Sequence, residues 1–116
     1  MEPSHPQMLK AIYRRWRAKR MGHDMKDQYQ PIYTWRETWP GEGHQDFSGF
    51  DGDQSFGRVE LENAADLKPG LWKWNATHLP WVRKEIMPRS GSEETSREAC
   101  RRVEEHYEKL KAVHGR

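Results

Sequence analysis

The chain has few aliphatic residues from which to build a core. Ile, Leu, Val and Phe together account for 16 of its 116 residues. A share below about 20% is typical of disordered chains when the net charge is high, but here the formal charge is only +2. Six Trp and four Tyr residues compensate, since each buried aromatic side chain removes about 150–250 Å² from water. We therefore expect a small core made largely of aromatic residues.

Cysteine is almost absent, and long apolar runs are missing. A single residue, Cys100, excludes both an intrachain disulfide framework and a zinc site built on thiolates. No segment approaches the ~18 apolar residues of a membrane span, and the N-terminus lacks the pattern of a secretory signal. These absences predict a cytoplasmic protein without a membrane partner.

Sequence patterns for catalysis and for cofactor binding are also missing. There is no glycine-rich phosphate loop after a strand and no nucleophile elbow. The six histidines are scattered along the chain, so no metal site is expected. Cys100 lies on the predicted inward face of a helix, where a buried thiol is favoured over a nucleophile. The sequence predicts a protein that is not an enzyme and binds no cofactor.

Alternating apolar and polar residues define the centre of the chain. They predict strands at Gln45–Phe50, Ser55–Glu62 and Leu71–His78, because period two places alternate side chains on one face. Asp51-Gly52 has the composition of a hairpin turn. A calcium loop starting at Asp51 is the weaker interpretation, because Phe56 occupies its glycine position.

The most regular helical pattern lies near the C-terminus. Thr95 to Glu98 form a capping-box sequence, and the apolar residues that follow recur every three or four positions. We predict a helix over Ser96–Val113, with a polar linker at Pro88–Glu94 before it. The predicted fold is α+β: a three-stranded antiparallel β-meander with this helix packed across the face that carries Trp72 and Trp74.

Positive charge is concentrated at the N-terminus. Residues 1–26 hold seven Lys and Arg against two Asp and Glu, and residues 27–116 hold 13 against 16. Helical spacing of Leu9, Ile12, Tyr13 and Trp16 predicts a basic amphipathic helix over Gln7–Met21. Such a helix serves either as a binding arm for an anionic partner or as a structural helix with solvated cations. The cations concerned are Lys10, Arg14, Arg15, Arg17, Lys19 and Arg20.

An aromatic segment follows this helix. Tyr29, Tyr33, Trp35 and Trp39 lie among polar residues, prolines and glycines, so the segment is expected to be largely irregular, with one short strand at Ile32–Trp35. These rings either stack on a ligand or cover the core. We predict residues 1–43 as one unit, containing the basic helix and the aromatic segment, and residues 44–116 as a small β-β-β-α domain.

Two resemblances extend this interpretation. Phe56-Gly57-Arg58-Val59, Gly70-Leu71-Trp72-Lys73-Trp74, Ser90-Gly91 and Thr95–Ala99 resemble a pattern in small uncharacterised bacterial proteins: a Gly-Arg strand, a W-x-W strand and a capped helix. This resemblance implies the β-β-α order but no activity. The order helix, three strands, helix also resembles the double-stranded-RNA-binding domain. That family places lysines at the start of its last helix to contact phosphates, whereas Glu93–Glu98 here is acidic apart from Arg97.

Together these features predict a non-catalytic binding or regulatory protein that engages a larger protein, as an inhibitor or modulator of phage or accessory origin. The alternative is a nucleic-acid-binding module that uses the basic helix. The predicted contact surface consists of Lys10, Arg14, Arg15, Arg17, Lys19, Arg20, Tyr29, Tyr33, Trp35 and Trp39.

Overall fold

A computed structural model of the chain describes residues 29–63 and 70–116. Within these two ranges five strands precede one helix: β1 (Thr34–Glu37), β2 (Asp46–Asp51), β3 (Gln54–Leu61), β4 (Trp72–Ala76), β5 (Ser90–Glu93) and α1 (Ser96–Val113). In these two ranges no helix is long and apolar enough to cross a bilayer. The predicted helix Gln7–Met21 lies outside the described residues.

The strands form one antiparallel sheet in chain order, β1-β2-β3-β4-β5. The predicted α+β class is confirmed, but the prediction of three strands is wrong, because β1 and β5 add a strand at each edge. β5 lies within the segment that was predicted to be a polar linker. Its Gly91 is directly opposite Trp74, and a Cβ atom at Gly91 would lie 2.7 Å from the indole nitrogen of Trp74. The strand therefore depends on the absence of a side chain at this position.

The hairpin turn predicted at Asp51-Gly52 is confirmed, and it joins β2 to β3. Asp51 pairs with Gln54 across the turn, and Gly52 has a φ of 63°, the left-handed conformation that glycine adopts without strain. A β-bulge between Gly49 and Phe50 shifts the register within the hairpin.

The C-terminal helix begins and ends where the sequence predicts. The Thr95 side chain accepts a hydrogen bond from the Glu98 N–H at 3.1 Å, which satisfies one of the free donors of the first turn. α1 packs across β3 and β4. Trp74, on the face toward the helix, is 2% exposed, and Trp72 is partly buried against the same core.

Aromatic rings fill much of the space between sheet and helix, as predicted. Phe56 stacks on Tyr107 with the ring centroids 4.4 Å apart, and Tyr33 meets both rings edge-on. The buried core comprises Trp35, Phe47, Phe56, Val59, Trp74, Leu79, Ala99, Cys100, Val103 and Tyr107.

β1 lies before the predicted boundary between residues 43 and 44, but it pairs with β2, which lies after that boundary. Trp35 pairs with Gly49 of β2, and its side chain is 1% exposed. The aromatic segment is thus part of the same sheet and core as the strands that follow it.

Candidate binding surfaces

A buried carboxylate on α1 holds the aromatic segment in place. Glu104 is 1% exposed and accepts four hydrogen bonds. The donors are the Tyr29 hydroxyl, the backbone N–H groups of Ile32 (3.1 Å) and Tyr33 (3.0 Å), and the Trp35 indole N–H (2.9 Å). Burial, together with the bond to Glu104, raises the pKa of Tyr29 well above its ordinary value. These charge-assisted bonds fix residues 29–35 on the helix.

This arrangement separates the predicted aromatic contact residues into two groups. Tyr29, Tyr33 and Trp35 converge on Glu104, and Trp35 is inside the core. The Tyr33 hydroxyl donates to Glu108 and accepts from Lys111 at 2.6 Å. Trp39 is separate and remains 46% exposed. The six predicted cations of the basic helix lie outside the described residues.

Trp39 belongs to a polar cluster on the other side of the sheet. The Arg58 guanidinium donates to both carboxylate oxygens of Asp46, from Nε at 2.8 Å and from a terminal nitrogen at 2.5 Å. The Trp39 indole donates to the same carboxylate at 3.2 Å. Burial alone would raise the pKa of Asp46, but the hydrogen bonds, chiefly from Arg58, outweigh it and lower that pKa.

The sheet face opposite α1 carries a polar row that crosses all five strands. The side chains in successive register are Arg36, Ser48, Arg58, Asn75 and Ser90. A second row of Asp46, Glu60, Lys73 and Ser92 runs beside it. No described helix or strand packs against these two rows. We call the sheet face that carries them the open face.

Arginine and aromatic side chains are paired at the β1 end of the open face. The Arg36 guanidinium lies 3.6 Å from the centroid of the Phe50 ring, and that of Arg58 lies 6.0 Å from the Trp39 ring. The Nε atom of Arg36 is buried without a hydrogen-bond partner among the described residues. Stacking on the ring orders this cation on the open face.

A concave site lies on the helix side of the sheet. It is a cavity of about 200 Å³ between α1, β4 and the loop 86–88, and we call it the Trp74 pocket. The residues that line it are Trp74, Ile86, Met87, Pro88, Arg102, Glu105, His106 and Lys109. Arg102 and Lys109 are each three or four positions from Glu105 and His106, so the four side chains lie on one side of the helix.

Several contacts shape this pocket. The Arg102 guanidinium lies 5.6 Å from the Trp74 ring centroid. His106 is buried, and its Nε2 donates to the Ile86 carbonyl at 2.8 Å. Glu105 accepts from Arg101 at 2.7 Å, on the outer side of the helix.

The described residues include neither an exposed thiol nor a metal-binding cluster. Cys100 is buried, and desolvation raises the pKa of its thiol well above the ordinary range, which disfavours the thiolate. Within the two described ranges, no group of three or more His, Cys, Asp and Glu residues is placed to hold a metal ion.

The sequence interpretation did not identify the open face or the Trp74 pocket. Alternation in the predicted strands could have found much of the open face, because Ser48, Arg58 and Asn75 fall on the side opposite the core residues. No local signal could have found the pocket, since residues 86–88 meet α1 only through the tertiary fold. No protein-family model, curated protein or solved structure matches this chain, and its function is therefore inferred from these surfaces.

Proposed function

We propose that the protein is a non-catalytic binding protein that engages a larger protein through the open face. The observation that supports this most is the polar row from Arg36 to Ser90, against which no described helix or strand packs. Arginine and tryptophan are the residues that most often carry binding energy at protein interfaces. Arg36, Arg58 and Trp39 supply them at one end of the row. A role as inhibitor or modulator, in a protein of phage or accessory origin, stays a prediction.

The charge of this face favours a protein partner over nucleic acid. Arg36, Arg58 and Lys73 are offset by Asp46 and Glu60, and Asp46 is bound directly by Arg58. The described ranges contain 12 Lys and Arg against 14 Asp and Glu. Nucleic-acid interfaces are strongly positive, whereas charges of both signs suit a complementary protein surface.

The size of the face requires contacts beyond it. Five strands about 4.8 Å apart and about 17 Å long give a face of roughly 400 Å² in plan. A standard interface buries about 800 Å² on each partner. We therefore propose that the contact extends onto the exposed Trp39 and the loop that contains it.

Affinity capture from the organism that carries the gene tests this proposal. The bait variants are Arg36→Glu with Lys73→Glu on the open face and, as a control of equal charge change, Arg83→Glu with Lys84→Glu in an exposed loop. We expect a protein that the wild type and the loop variant retain, and that the open-face variant loses by at least about tenfold, or about 1.4 kcal/mol. Retention should not change on nuclease treatment.

Each bait is first checked for an unchanged melting temperature. If the double open-face variant does not fold, Asn75→Arg adds bulk at the centre of the row and gives the same readout. Equal capture by open-face and loop variants would contradict the proposal.

The alternative function is nucleic-acid binding through Lys10, Arg14, Arg15, Arg17, Lys19 and Arg20. The charge excess of residues 1–26 supports it. In that case log affinity should fall steeply with log salt, and Arg14→Glu, Arg15→Glu and Arg17→Glu together should flatten the slope by about 1 for each phosphate contact that is lost. A slope near zero for nucleic acid would exclude this alternative.

A further inference from the structure

The lining of the Trp74 pocket is mainly polar and places two cations beside a smaller apolar part. Arg102 and Lys109 come from α1, and neither forms an ion pair among the described residues, whereas Glu105 is bound by Arg101. Trp74, Ile86, Met87 and Pro88 supply the apolar side. Arg102 and Lys109 therefore bring two positive charges to the lining, and Glu105 brings one negative charge.

We infer that this pocket binds a single carboxylate group attached to a short apolar chain. A carboxylate can accept from both cations, whereas a phosphate dianion would be repelled more strongly by Glu105, which is bound by Arg101 but still lines the pocket. A guanidinium binds the two oxygens of a carboxylate with parallel hydrogen bonds. The Trp74 ring orders Arg102 beside the pocket by a cation–π contact, and the smaller apolar part of the lining contacts the short carbon chain.

The volume limits the ligand. At about 30 Å³ for each water molecule in the liquid, the cavity of about 200 Å³ admits roughly seven non-hydrogen atoms. This is below the roughly 300–1,000 Å³ of sites for drug-sized ligands and cofactors. It suits either a free short-chain acid such as butyrate or the side chain of a glutamate in a peptide.

This inference does not depend on the proposed function. The pocket lies on the helix side of the sheet, opposite the open face. Variants of Arg36 and Lys73 test partner capture, and variants of Arg102 and Lys109 test ligand binding. Either proposal can therefore fail while the other holds.

NMR titration of the full chain tests the inference. Butyrate is added to ¹⁵N-labelled protein while the amides of Arg102–Lys109 and the indole of Trp74 are followed. We expect saturable shifts with a Kd in the millimolar range, and no saturable shifts with butyramide, which has the same shape and no charge. N-acetyl-glutamate N-methylamide distinguishes the two sources: tighter binding than butyrate identifies a peptide side chain, and weaker binding identifies a free acid. Both results support the carboxylate site.

Matched variants locate the binding. Arg102→Met should weaken butyrate binding by about tenfold or more, and Lys109→Met should weaken it several-fold. Lys84→Met removes an exposed cation that does not line the pocket, and it should leave the affinity unchanged. Because Lys109 is exposed, its variant stays informative even if Arg102→Met perturbs the fold.

Three outcomes would overturn the inference. They are equal binding of butyramide, tighter binding of inorganic phosphate than of butyrate, and the absence of saturable shifts at these residues at millimolar concentrations.

Discussion

At the scale of single residues, the buried Glu104 has a role that an apolar side chain could not take, because an apolar side chain accepts no hydrogen bonds. Four donors from residues 29–35 point at its two oxygens. An isolated buried charge would be costly, and these bonds compensate for its desolvation. The sequence shows only a glutamate among several on the last helix, so its role depends on partners about 70 positions away.

Replacing Glu104 with Gln tests this role. The amide has nearly the same shape, but its NH₂ group replaces one acceptor oxygen and leaves at least one backbone or indole N–H without an acceptor. We expect a loss of about 3 kcal/mol in the free energy of unfolding, measured with urea. Glu105→Gln, one residue further along and exposed, should cost less than about 0.5 kcal/mol. Equal effects of the two changes would contradict the role of Glu104.

The depressed pKa of Asp46 predicts a pH dependence of stability. Because the folded pKa lies below the unfolded value, the folded state is favoured by the ionised form. The stabilisation is complete above about pH 4 and is lost as the pH falls toward the folded pKa. Unfolding of wild type and Asp46→Asn should therefore differ most above pH 4 and converge in acid. A difference that does not change between pH 5 and pH 2 would contradict the pairing with Arg58.

At the scale of elements, the approach of α1 to the sheet depends on Gly57 in β3. A Cβ atom at this position would lie 2.3 Å from a Val103 methyl group and 3.0 Å from the Asn75 carbonyl oxygen. The helix can therefore lie directly against the strand only where the side chain is absent.

Gly57→Ala is expected to destabilise the fold by about 2–3 kcal/mol, because the helix or the strand must move. Shortening the opposing side chain should relieve part of this strain. In the double variant Gly57→Ala with Val103→Ala, we expect a loss smaller than the sum of the two single losses by about 1 kcal/mol or more. Denaturant unfolding of the four proteins measures this coupling, and strict additivity would show that the contact is not the cause.

Some elements could be predicted from the sequence and others could not, and the reason is physical. The hairpin at Asp51-Gly52 and the helix Ser96–Val113 carry their own signals, a turn dipeptide and a capped apolar repeat, so the sequence predicted both. β5 has the sequence Ser-Gly-Ser-Glu and no apolar residue. Its pairing with β4 comes from the tertiary fold, which local patterns do not encode.

At the scale of the whole molecule, residues 29–116 contain the sheet, the helix and the aromatic core. A chain that lacks residues 1–22 is therefore expected to keep a cooperative thermal transition close to that of the full chain. A chain that starts at residue 38 loses Trp35 and all four donors to Glu104. Loss of a buried tryptophan alone costs about 3–5 kcal/mol, a large part of the total stability of a small domain, so this chain should be unfolded.

Circular dichroism during heating measures both truncations. If the chain without residues 1–22 is unfolded, Leu9, Ile12, Tyr13 and Trp16 belong to the core. If the chain that starts at residue 38 is folded, β1 is dispensable.

The site was less predictable from sequence than the fold. An aromatic segment among polar residues was compatible with either ligand stacking or core packing, and the burial of Trp35 is fixed by Glu104 and by Gly49 opposite it. Trp39, which has the same residue type and a similar neighbourhood in the sequence, stays exposed. The difference between these two tryptophans arises because β1 ends at Glu37, so Trp35 is paired within the sheet and Trp39 lies beyond the strand, an end point that the sequence alone did not specify.

The separation along the chain between Trp35 and Glu104 also affects when β1 can reach its final position during synthesis on the ribosome. They are 69 residues apart, and at about 5–20 residues per second this separation corresponds to roughly 3–14 seconds of synthesis. During that time Tyr29, Tyr33 and Trp35 have been made but their acceptor has not. β1 can therefore reach its final position only after most of α1 has been translated, and until then its aromatic side chains are available to chaperones.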